Sequence, residues 1–100
     1  MRTLPTPYPA TIVYPSGAVD TTALPQGEQD RLDALMRIVG GHLQAIPLPD
    51  ARYMLVDEDG KSSAHALNQT ATDIAHDAES ISRQDYIAGV AVIVPQEALS

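Results

Sequence analysis

The chain has 100 residues, a formal net charge of -7 and no Cys, Phe or Trp. One hundred residues suit a single domain with a modest core, which Leu, Ile, Val and Ala must fill with four Tyr and three Met. The six Lys and Arg residues form no run, which argues against direct nucleic-acid binding, and without cysteine there is no disulfide framework, thiolate nucleophile or cysteine metal site.

Residues 1–10 are punctuated by Pro5, Pro7 and Pro9 and are expected to form an extended lead without helix. They hold no apolar run of the signal-peptide kind, and no segment approaches the ~20 apolar residues that span a bilayer. A cytoplasmic setting without membrane attachment is expected. The domain proper is expected over residues 11–95, with residues 96–100 as a tail.

"TIVY" (Thr11 to Tyr14) is β-branched and aromatic and predicts a strand. "PSG" turns the chain, and "AVDTT" can return as its hairpin partner. "PQGEQDRLDALMRIV" predicts a helix, with Glu28 and Asp30 at its electropositive start. Leu32, Leu35, Met36 and Val39 recur at helical spacing and form its expected buried stripe. The glycine pair Gly40-Gly41 follows this helix. A phosphate loop puts its glycines before a helix, where free N–H groups lie, whereas a glycine after one closes it at positive φ. Gly40 and Gly41 are therefore expected to stop the helix, with Gly41 permitting close packing as the next strand begins.

"HLQAIPL" and "ARYMLVD" predict two more strands, and "DEDG" a tight turn. A second helix is expected to begin near Asn68 or Thr70. "TATD" (Thr70 to Asp73) fits a capping box, and Ala71, Ile74, Ala75 and Ala78 form a small-residue face. "YIAGVAVIV" (Tyr86 to Val94) is apolar on both faces and predicts an interior strand. The order β-β-α-β-β-α-β predicts an α+β fold, a five-stranded mixed sheet with both helices on one face. β-Grasp domains share that element order.

Candidate chemistry is sparse. Aligning Gly60 with the glycine of a calcium-binding loop puts Leu55 and Ala66 where the outer oxygen ligands belong, so calcium is not expected. Asp73, His76 and Asp77 share a helical face and open the alternative of a small hydrolase or transferase, yet no HExxH or GxSxG pattern supports one. No catalytic residue, metal site or cofactor is assigned. The remaining candidate is a polar ligand site at Asp57, Glu58, Gly60 and Lys61 with Asn68, set against the plainer reading of a solvated turn and a helix cap. Arg52 and Lys61 flank the hairpin and are expected to supply its positive charge. A third reading, an acidic DNA mimic or structural module, needs clustered carboxylates, and these are spread along the chain.

Taken in order, "IVGGHLQAI", "YMLVDEDGK", "LNQTAT" and "DYIAGVAVIV" resemble a family known as domain of unknown function 3846, found in phages and their bacterial hosts. Val39, Gly40 and Gly41 match its Val-Gly-Gly, and Asp57, Glu58, Gly60 and Lys61 match its Asn/Asp-Glu-x-Gly-Lys turn. Leu67, Asn68, Ala71, Thr72 and Gly89 follow less strictly. His42 stands where the family usually has Tyr, and no proline precedes Asn68. The resemblance implies a small non-enzymatic accessory protein. Such a protein would bind a small polar ligand or a host protein, and could counter host defence by sequestering a nucleotide-derived signal. Homo-oligomers are compatible with it.

Overall fold

The computed structural model describes residues 8–62 and 65–99. Most of the expected proline-rich lead, residues 1–7, lies outside them. Five strands form one sheet: β1 (Tyr8–Val13), β2 (Val19–Leu24), β3 (Leu43–Leu48), β4 (Arg52–Asp57) and β5 (Ala91–Pro95). Two helices, α1 (Glu28–Val39) and α2 (Gln69–Asp77), complete an α+β fold, and Gln96–Leu99 forms a 3-10 turn. Residues 8–10 thus belong to the first strand rather than to a lead. The expected tail is ordered by burial of Ala98.

The strand order is β2-β1-β5-β4-β3. Every pairing is antiparallel, so the expected mixed sheet is corrected, and with it goes the parallel pair that a β-grasp-like sheet would carry. The connections explain this. Two hairpins, β1–β2 and β3–β4, form the two flanks of the sheet, and β5 fills the gap between β1 and β4. β2 and β3 end up as opposite edges, so α1 carries the chain across one face of the sheet.

The two helices lie on opposite faces, not on one. Alternation along the central strands shows why. Ile12, Leu55, Val92 and Val94 pack with Leu35 and Val39 of α1. Val13, Met54, Val56 and Ala91 pack with Ala71 and Ala75 of α2. A sheet that is apolar on both faces needs a cover on each. β5 is interior, as its unbroken apolar run predicts, but it begins at Ala91 rather than near Tyr86. Gly89 sits at φ 86° and bends the chain before the strand starts.

The buried stripe of α1 is Arg31, Leu35 and Val39, with Met36 exposed. The Arg31 guanidinium replaces the expected apolar contact. Its Nε donates to Ala98 O at 2.6 Å and its Nη1 to Gln26 O at 2.6 Å. It also lies 4.5 Å from the centroid of the Tyr8 ring. One side chain thus ties both ends of the described chain to α1. Gly40 closes α1 at φ 88° and its N–H donates to Met36 O at 2.8 Å, as expected of a helix stop.

The cap of α2 is Asn68 rather than the "TATD" box. Its Oδ1 accepts from Ala71 N at 3.0 Å. Its Nδ2 donates to Val13 O and Gly89 O, both at 2.9 Å. The backbone joins in: Asn68 N donates to Ile87 O at 2.8 Å, and Asn68 O accepts from Thr72 N and from its hydroxyl. The side chain is fully buried. We expect Asn68→Ala to destabilise the fold by at least about 2 kcal/mol, since it removes a cap and leaves two buried carbonyls without donors. Asn68→Asp keeps the cap acceptor but loses both donors, and should also lower the urea midpoint. A wild-type midpoint in both variants would show that Asn68 is dispensable.

Candidate functional site

The turn after β4 is built by its own residues. Asp57 opens it, and Gly60 N donates back to Asp57 O at 3.0 Å. Asp57 Oδ1 accepts from Asp59 N at 2.9 Å, the local bond that makes Asp a favoured turn opener. Gly60 is buried, and a Cβ there would come within 2.9 Å of Ala88 O. Glu58 N donates to His42 O at 2.8 Å, which pins the turn to the start of β3.

Asp57 itself points inward. A Cβ on Gly41 would lie 2.7 Å from Asp57 Oδ1 and 2.9 Å from Oδ2. Gly41 is therefore needed as a bare backbone surface for this carboxylate, since any side chain would collide with it. On its other oxygen, Asp57 meets His65 Nε2 at 2.9 Å. The His65 ring in turn lies over Gly89, where a Cβ would come within 3.1 Å of the ring. The Asp59 N–H bond, followed by the His65 contact, holds the Asp57 carboxyl below the usual range. It is thus ionised at neutral pH and can only accept, so His65 Nε2 carries the proton between them.

Beside this turn lies a cleft of about 230 Å³. Ile46, Val56, Ile81 and Ile87 give it an apolar lining, and Gln44, Glu58 and Lys61 give it polar groups. Lys61 Nζ pairs with Asp85 Oδ1 and sits 4.7 Å from the centroid of the Tyr86 ring. The Lys61 ammonium, then the Tyr86 N–H, hold the Asp85 carboxyl below its ordinary value. Both partners of this ion pair are substantially exposed.

Four of the five expected ligand residues, Asp57, Glu58, Gly60 and Lys61, border the cleft. Asn68 does not. It is enclosed, and both polar atoms of its side chain are committed to backbone partners, so it is a structural residue. Arg52 lies at the far end of β4 and cannot share the turn with Lys61; its Nε donates to Pro49 O at 3.4 Å. The Asp73, His76 and Asp77 face does not converge. His76 Nε2 donates to Asp85 O at 2.8 Å, and Asp73 Oδ1 accepts from Gln69 Nε2 at 2.8 Å. Among the described residues, no three His, Cys, Asp or Glu side chains gather as a metal site would require. Sequence reasoning missed Asp85, Tyr86 and Ile81. They sit in a stretch without periodicity, and only the fold brings them to the turn.

The family resemblance gains a physical basis here. Gly41, Asp57 and Gly89 come from three separated stretches of the sequence, and they meet around one carboxylate and one imidazole. A model of the domain of unknown function DUF3846 matches residues 9–98. The chain belongs to the DUF3846 family. No curated protein and no solved structure matches it. In this DUF3846 chain, the Val-Gly-Gly and Asp-Glu-x-Gly-Lys stretches therefore act as one unit: Gly40 ends α1, Gly41 receives Asp57, and Gly60 fits the turn against Ala88. His42, in place of the usual Tyr, adds a further charge influence that favours ionised Asp57.

Two outcomes follow. Gly41→Ala should destabilise the protein, and the loss should shrink in an Asp57→Ala background, because the collision is with that side chain. A double-mutant cycle on urea midpoints measures the coupling, and additivity would place the cost elsewhere. Asp57 also has a pH signature. Its folded pKa is lowered, so its contribution to stability is present above about pH 4 and is lost as pH falls through the folded value. The stability gap between wild type and Asp57→Asn should therefore be widest near neutrality and narrow in acid. A gap independent of pH would contradict the ionised, hydrogen-bonded carboxylate.

Proposed function

We propose that this DUF3846 chain is a non-catalytic binding protein, and that the cleft beside the Asp57–Lys61 turn takes a small polar ligand with an apolar part. One observation carries this: the cleft combines an apolar lining with a Lys61–Asp85 pair that is exposed and so can be exchanged. An exposed ion pair holds its partners weakly, and a ligand acceptor can replace Asp85 at Lys61. The cleft is smaller than the roughly 300–1,000 Å³ of ordinary ligand pockets. It suits a compact molecule, or one side chain projecting from a host protein. A bare phosphate is disfavoured by Glu58 and Asp85 nearby. An accessory role in phages, countering host defence by holding a nucleotide-derived signal, is the finer form of this reading and is supported by family context alone.

Gln44 is an exposed edge-strand residue bordering the cleft, so Gln44→Trp should fill the space without disturbing the core. Native mass spectrometry of protein purified from its own host cells should show a bound small molecule or partner. Gln44→Trp and Lys61→Ala should each reduce its occupancy at least about tenfold while thermal stability stays near wild type. Full occupancy in folded Gln44→Trp would refute the cleft.

A further inference from the structure

Asp85 and Tyr86 border not only this cleft but also a second, larger groove of about 490 Å³, on the side of α2. Its lining includes Leu67, Thr72, His76 and Arg83. Four large apolar side chains are exposed among the described residues, and two of them, Leu67 at 50% and Tyr86 at 42%, are in this one groove. Arg83 lies with them, exposed, and no hydrogen bond or ion pair to a described residue engages its guanidinium. The nearby carboxylates do not neutralise it. Asp85 is held by Lys61 and by Tyr86 N–H, and Asp73, on the same helix, accepts from Gln69.

We infer that this groove docks a segment of a partner protein that presents an apolar side chain next to a carboxylate. The apolar side chain lies against Leu67 and Tyr86, and the carboxylate accepts from two N–H groups of the Arg83 guanidinium in a forked pair. Aromatic residues and Arg are the groups that dominate protein interfaces, and here an exposed Tyr86 and Arg83 line one groove. The chemistry excludes the chain's own N-terminal residues as occupant. Residues 1–7 carry Arg2 and no acidic side chain, so they offer Arg83 no counter-charge. The groove shares Asp85 and Tyr86 with the small-ligand cleft, and its remaining lining is its own.

The test uses two synthetic peptides, acetyl-Phe-Leu-Glu-Glu-amide and its Lys-Lys counterpart, titrated into the isotope-labelled full chain. The acidic peptide should give saturable amide shifts at Leu67, Thr72 and residues 83–86. The lysine peptide should bind at least about tenfold more weakly. Arg83→Glu should reverse that preference, and Gln44→Trp should leave it intact, which separates this surface from the cleft. Equal binding of the two peptides, shifts confined to Gln44 and residues 58–62, or no saturable shift at millimolar peptide would overturn the proposal. So would a wild-type dimer in sedimentation that Arg83→Glu converts to monomer, since the occupant would then be a second copy.

Discussion

The fold depends on one buried amide. Asn68 joins the end of β1, the Ile87–Gly89 stretch and the start of α2, which are far apart in sequence. A buried amide is costly unless its donors and acceptor are all used, and here they are. The consequences reach the candidate site. By taking the carbonyls of Ile87 and Gly89, Asn68 fixes the backbone just before β5. That same backbone supplies Ala88 O, against which Gly60 packs, and places Tyr86 beside Lys61. The candidate surface is therefore positioned from inside, by a residue that does not border the cleft.

Arg31 plays a comparable part on the other face. A buried cation normally needs a carboxylate, yet the hydrogen bonds of Arg31 go to the backbone carbonyls of Pro25, Gln26 and Ala98. Carbonyl dipoles and the Tyr8 ring replace the counter-ion. The arrangement suits a small domain, because it anchors the chain after β5 to α1 with a long side chain that also fills space. It adds to the other attachments of the Gln96–Leu99 turn, the burial of Ala98 and the bond from Gln96 N to Ala51 O at 2.8 Å.

These two residues also mark the limit of what the sequence discloses. Strands and helices were legible because each obeys a local rule: a short apolar run bounded by turn residues in "RYMLVD", helical spacing in α1, and a glycine after Val39 to stop it. β5 was legible as interior because both of its faces are apolar. A helix start near Asn68 was legible, but the distant partners of Arg31 and Asn68, up to 67 residues away, leave no local trace. The same holds for the placement of the helices. Apolar residues on both faces of β4 and β5 demand a cover on each side, but element order alone did not say which helix goes where. Of the site, the turn residues were legible from their polarity and family pattern. Asp85 and Tyr86 were not, because no period or motif links them to Lys61 across 24 residues.

The acidity of the turn then takes on a different meaning. Three carboxylates in five residues look like an obstacle to binding any electron-rich ligand. Asp57, however, is turned inward and spent on Asp59 N–H, His65 and the bare face of Gly41. It organises the turn and contributes little to the field a ligand meets. What faces the cleft is Glu58 and Asp59 together with the Lys61–Asp85 pair. An exposed pair of this kind presents a donor and an acceptor side by side at small cost to separate. On the proposed reading, such an edge favours a ligand that offers both kinds of hydrogen-bonding group over one that carries charge of a single sign. The turn thus sets a fixed, buried carboxylate that shapes it against an exposed pair that costs little to separate.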